Sequence, residues 1–166
     1  GTSTIINGTS GIAIEISDND IVVEDLLIIS SEKGIFINGA HDVSISTSRF
    51  TGKEYAVNVE DSQRAIVDNN EFDLEDYGIY FTGSSLSATV EYNKFRNATE
   101  SAIYQSESDE HGASGIHHNT FNDCEVGWQS GSSSNTFSYN TLKDNSYGIR
   151  LTGIESYNNL IDSNSF

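Results

Sequence analysis

The side chains of this chain that could do chemistry are carboxylates, a few histidines and a recurring set of aromatics. Asp109 and Glu110, with Glu107 before them and His111 after, put oxygen and nitrogen donors close together in the polar stretch 106–113. Such a stretch could hold Ca2+ as a hard cation, although its spacing matches neither an EF-hand nor a glycine-rich nonapeptide repeat. No other cofactor is expected. His117 and His118 are neighbours on an expected strand, where successive side chains face opposite sides, so joint chelation is not expected of them. Cys124 is the single cysteine, which excludes an internal disulfide and leaves a structural thiol as its plainest reading.

No catalytic set stands out. A β-eliminating lyase needs a positioned base, usually Lys or Arg, and an inverting glycosidase needs two carboxylates ~6.5–9.5 Å apart. Neither is assembled by the spacings below, and no nucleophilic triad, phosphate-cradling loop or zinc motif occurs. No catalytic residue is therefore assigned. The aromatics are more regular: Phe36, Tyr80 and Tyr104 share one repeat position with Arg150, while Tyr55 and Tyr77 share another close to it. Aromatic rings in rows, with polar neighbours, suit the C–H faces and hydroxyls of sugars. These six are the candidate carbohydrate-binding residues. The alternative is that Tyr and Phe stack across strands and stabilise a sheet with no ligand.

The elements that would position them follow from a repeat. An apolar anchor returns at Ile5, Ile28, Phe50, Phe72, Phe95, Phe121, Leu142 and Phe166, and a small-apolar pair returns in step as Gly11-Ile12, Gly34-Ile35, Ala56-Val57, Gly78-Ile79, Ala102-Ile103, Gly127-Trp128 and Gly148-Ile149. Two markers in one register describe a solenoid. Residues 34–50 align on 56–72 with every anchor displaced by 22, and both apolar pairs within the unit have the period of two that strands require. Three short strands per coil are expected. Asn70, Asn93, Asn119, Asn140 and Asn164 occupy one column, with Ser3, Leu26 and Ser48 as exceptions; stacked amides would form a ladder, and Asn would tolerate a left-handed turn there. In this register His117 stands outward between Glu91 and Ser138, near Asp68. The spacing from Phe95 to Phe121 is 26 residues against 23 for the coil before, so the stretch around Asp109 is an insertion bulging from one turn.

Half of the unit also fits a leucine-rich repeat, but the other half, as in Gly34-Ile35-Phe36-Ile37-Asn38 and Gly78-Ile79-Tyr80-Phe81-Thr82, alternates with β-branched and aromatic residues and reads as strand. Segments such as Tyr147-Gly148-Ile149-Arg150-Leu151 and Asn158-Asn159-Leu160-Ile161-Asp162-Ser163-Asn164-Ser165-Phe166 resemble the right-handed parallel β-helix repeats of NosD-type and pectate-lyase-like proteins. The resemblance covers essentially the whole chain. It implies an all-β, single-stranded right-handed parallel β-helix of about seven rungs of 21–26 residues, one domain over 1–166 or a segment of a longer solenoid. It also implies that the sheet carrying the aromatics is the one that commonly lines a polysaccharide groove.

Charge narrows the partners. With 25 acidic and 8 basic residues the formal charge is −17, which opposes binding to a nucleic-acid backbone. No apolar run approaches the ~18 residues of a membrane span, so no membrane insertion is expected, and Gly1-Thr2-Ser3-Thr4 carries no signal-peptide pattern. The sequons Asn7-Gly8-Thr9 and Asn97-Ala98-Thr99 permit surface glycosylation. Neither end reads as a capping rung, which suits head-to-tail self-association. The expectation is an extracellular or cell-surface structural or adhesive module with affinity for a polysaccharide; the alternative is a polysaccharide lyase, epimerase or glycoside hydrolase, or a fragment of one.

Overall fold

A computed structural model describes residues 4–8, 10–30, 32–52, 54–74, 76–106, 114–153 and 156–166. These form twenty-one short strands gathered into three seven-stranded sheets, in which each strand pairs with the equivalent strand one coil later. All pairings between these strands are parallel, for example Phe36 beside Asn58 and Asn58 beside Tyr80. The solenoid expected from the repeat is therefore the fold. Its second sheet, built from Ile12–Ile16, Lys33–Asn38, Tyr55–Glu60, Tyr77–Thr82, Ser101–Gln105, Val126–Ser130 and Tyr147–Leu151, carries the candidate aromatics.

The period of two sorts the side chains. Ile35 and Ile37, Val57 and Val59, and Ile79 and Phe81 are buried in the tube, which leaves Phe36, Asn58 and Tyr80 on the outer face. Inside, Phe50, Phe72, Phe95 and Phe121 stack with centroids 4.6–5.0 Å apart and planes within 7°, matching the strand spacing of ~4.8 Å. Burying each ring contributes roughly 1.5–3 kcal/mol.

The asparagine ladder runs beside this column. The backbone N–H of Ser48, Asn70, Asn93, Asn119 and Asn140 each donates at 2.9 Å to the side-chain oxygen of the next coil's asparagine. Each of those amides also donates to a backbone carbonyl of the coil before, as Asn93 does to Val67 at 2.7 Å. Left unpaired at this depth, such groups would cost about 1–3 kcal/mol apiece. The left-handed residue is not the asparagine itself: positive φ falls one residue earlier, at Asp25, Thr47, Asn69, Tyr92, His118, Tyr139 and Ser163. The preceding residue makes the corner, and the corner aims the asparagine inward.

Two further expectations are corrected at the first coil. Ile6, not Ile5, pairs with Ile28, and Thr4 rather than Ser3 pairs with Leu26; Ile5 is 63 % exposed. Likewise Ile14 pairs with Ile35 and Glu15 with Phe36, so Ala13-Ile14, not Gly11-Ile12, is the small-apolar pair. The first coil is one residue out of step with the simple spacing at the anchor and two at the small-apolar pair, because its own turn lengths differ.

Candidate functional site

Two consecutive inward residues create the candidate face. At the corner where each coil enters the second sheet, the small residue and its apolar successor both point into the tube. A Cβ on Gly78 would lie 2.4 Å from the Ala102 carbonyl oxygen and 2.9 Å from the Phe95 ring, and Ile79 beside it is fully buried. Alternation is thereby interrupted, so Tyr77 and Tyr80, three residues apart, emerge on the same outer side with centroids 5.1 Å apart.

Four tyrosines come together there. Tyr55 stacks on Tyr77 at 5.4 Å, and Tyr80 on Tyr104 at 4.9 Å. The two stacks meet edge to face, Tyr55 with Tyr80 at 4.9 Å and Tyr77 with Tyr104 at 5.8 Å. Much of each ring face is therefore covered by the next tyrosine. One end of each stack, Tyr55 and Tyr80, turns toward the preceding coil, where a depression of about 290 Å³ is lined by Lys33, Tyr55, Asn58, Glu60, Tyr80 and Thr82. That volume sits at the lower edge of ordinary ligand pockets, ~300 Å³. Burial pushes the Tyr77 hydroxyl up to about 12, helped by the Glu100 carboxylate, and burial likewise raises Tyr55 and Tyr80. The phenols stay protonated and can both donate and accept hydrogen bonds.

The other two candidates stand apart. Phe36 is separated from the cluster by Asn58, is only 9 % exposed, and has the Lys33 ammonium 3.8 Å above its ring. Arg150 lies beyond Gln129, over the Tyr147 ring at 4.1 Å and 4.0 Å from Glu125. Asp109, Glu110 and His111 lie outside the described residues. Among the described residues Glu60 is the one carboxylate in the depression's lining, and its register partners are Asn38 and Thr82, so these residues build no facing pair of acids there.

A second aromatic row, on the left-handed corner just before the asparagine column, is not expected from the spacings. Tyr92, His118 and Tyr139 stack at 5.0 and 5.3 Å, with the two tyrosines 52 % and 58 % exposed. All three hold positive φ, a conformation costly for side chains of this size. This corrects the histidine pair. Alternation fails at a left-handed residue, so His117 and His118 reach the same side with their Nδ1 atoms 3.2 Å apart. His117 does stand between Glu91 and Ser138, with Glu91 next to Asp68, and its Nδ1 lies 3.5 Å from the Glu91 carboxylate. The signal was available in the sequence: bulky residues in a column otherwise held by Asp, Thr, Asn and Ser.

A family model described as periplasmic copper-binding protein (NosD) matches residues 1–166. The chain belongs to the NosD family. No curated protein matches it. As a NosD-family β-helix it shares a family described as periplasmic, and among the described residues no helix is long and apolar enough to cross a membrane. Copper is a different matter. Among the described residues no group of three or more His, Cys, Asp and Glu is placed to hold a metal ion. The chain contains no methionine, and burial pushes the Cys124 thiol up to about 11, so the soft thioether and thiolate donors that select Cu(I) are missing. The described residues do not fit a resident copper ion.

Proposed function

We propose that this NosD-family chain is a β-helix module outside the cytoplasm whose second sheet binds a glycan. The observation that carries this is the tyrosine cluster ending at a depression: half-buried rings held rigid by their neighbours, with Asn58, Glu60, Lys33 and Thr82 around the opening. Rigid aromatics give contact area at little entropic cost, and the surrounding amide, hydroxyl and charged groups suit sugar hydroxyls. Binding without turnover is the better reading, because the depression holds one carboxylate and one amine rather than a facing acid pair.

The test is calorimetric titration of the chain with oligosaccharides of neutral, uronic and amino sugars, with product analysis alongside. Saturable binding with no new reducing ends and no unsaturated products is expected. Turnover would convert the module into an enzyme, and no binding to any sugar would remove the function.

A further inference from the structure

The sugar's charge is written beside the tyrosines. In the parallel register, the residue just before each Tyr-column position is Glu32, Glu54, Asp76, Glu100 and Glu125 in five successive coils. Their backbones are joined coil to coil, Tyr55 N–H donating to the Glu32 carbonyl, Tyr77 to Glu54, Glu100 to Asp76 and Tyr147 to Glu125. Glu32, Glu54, Glu100 and Glu125 are exposed and Asp76 is half-exposed. Five carboxylates thus stand in a file along the tube axis, about 4.8 Å from rung to rung, bordering the full length of the tyrosine face. They act on it: Glu54, Asp76 and Glu32 all help raise the Tyr55 hydroxyl.

Among the described residues the cations of this face are fewer and committed. Lys33 covers Phe36, and Arg150 lies at the far end against Tyr147, Glu125 and Gln129. Such a file repels a polyuronate, whose own carboxylates would repeat along the same axis, and attracts a polymer carrying one positive charge per sugar. Aromatic rings beside carboxylates also suit ammonium groups through their π-faces.

Resting on the glycan reading above, we infer that the tyrosine face of this chain takes a cationic amino-sugar polymer, one whose amines are free rather than acetylated. A chain of such sugars lying along the axis sets its rings against Tyr55, Tyr77, Tyr80 and Tyr104 and its ammonium groups toward the acidic file.

The experiment titrates the intact chain with three oligomers of equal length: de-N-acetylated chito-oligosaccharide, its N-acetylated form and oligogalacturonate, at low and high salt. The de-N-acetylated oligomer is expected to bind tightest, to weaken with salt, and to lose affinity about 3–10-fold in the Glu54→Gln/Glu100→Gln double variant, as two exposed ion pairs would. The acetylated oligomer should be indifferent to that variant. Both substitutions are exposed and isosteric, and circular dichroism verifies the fold. Oligogalacturonate binding as tightly, or an acetylated oligomer binding equally well with no salt dependence, overturns the charge assignment while leaving a glycan face in place. Failure of all three to bind overturns the glycan reading and this inference together.

Discussion

Replacing Asn93 probes the ladder that holds the coils in register. In the native chain its side-chain oxygen accepts from the Asn70 backbone N–H at 2.9 Å and from the Asn70 amide at 3.1 Å, while its own amide donates to the Val67 carbonyl at 2.7 Å and to Asn119 at 3.1 Å. Asn93→Ala leaves one buried backbone group without a partner, the Asn70 N–H, and takes one of two donors from the Val67 carbonyl, which stays in the parallel ladder with the next coil; the Asn70 amide keeps Ile45. At about 1–3 kcal/mol for the orphaned N–H and about 1 kcal/mol for the lost second bond to Val67, the cost is about 2–4 kcal/mol. Asn93→Ser is the informative control, because Ser48 occupies the same column and its hydroxyl accepts the Leu26 N–H at 3.2 Å. The serine variant restores the partner of the Asn70 N–H but not the bond to Val67, and should lose about half as much or less. Guanidinium unfolding followed by circular dichroism and by the single tryptophan, Trp128, gives both numbers and reveals whether the coils unfold together. An alanine variant within about 1 kcal/mol of the parent, or a serine variant as damaged as the alanine, would refute the ladder's role.

Three further outcomes follow from the same geometry. Phe95→Ala removes a fully buried ring between Phe72 and Phe121 and should cost about 3–5 kcal/mol by denaturant unfolding. The Tyr77 hydroxyl is held up to about 12, above its ordinary value of 10.0, chiefly by burial; the protonated form is thus favoured in the folded chain, and stability should be intact below pH ~10 and fall as the pH rises toward ~12. Phenolate absorbance recorded with circular dichroism checks this, and native-like titration of every tyrosine at pH ~10 would contradict it. Cys124, buried with its thiol pushed up to about 11, should resist alkylation in the native chain near neutral pH and react at once in denaturant.

The coil was legible in the sequence because a solenoid repeats its interior: Phe50, Phe72 and Phe95 announce one column, and Asn70, Asn93 and Asn119 another. What spacing alone missed has a backbone cause. Alternation assumes extended residues throughout, and it fails at the left-handed corner, which turns His118 to the side of His117; the spacing does place the Tyr77 position near the Tyr80 face, and Gly78-Ile79 supplies the backbone reason. The first coil slipped by one residue because Ile5 and Ile6 are both apolar and only pairing to Ile28 distinguishes them. A second amide ladder, with Asn135 donating its N–H to Asn159 at 2.9 Å and the Trp128 indole bound to Gln105 at 2.9 Å, was invisible because it spans too few coils to form a period. The tyrosines were found by type and position, but not that they cover one another; that depends on ring orientation, which composition does not carry.

The most direct test compares two aromatic rows on one protein. Tyr80→Ala, on the second sheet, and Tyr92→Ala, on the opposite corner, each remove one stacked tyrosine, so both perturb local packing while only the first alters the depression. Affinity for the tightest-binding oligosaccharide should drop about 5–150-fold in Tyr80→Ala, the ~1–3 kcal/mol of an aromatic anchor that faces the ligand, and stay at the parental value in Tyr92→Ala. Equal effects in the two variants, or none in Tyr80→Ala, would mean that the tyrosines of the second sheet serve the coil and not a sugar.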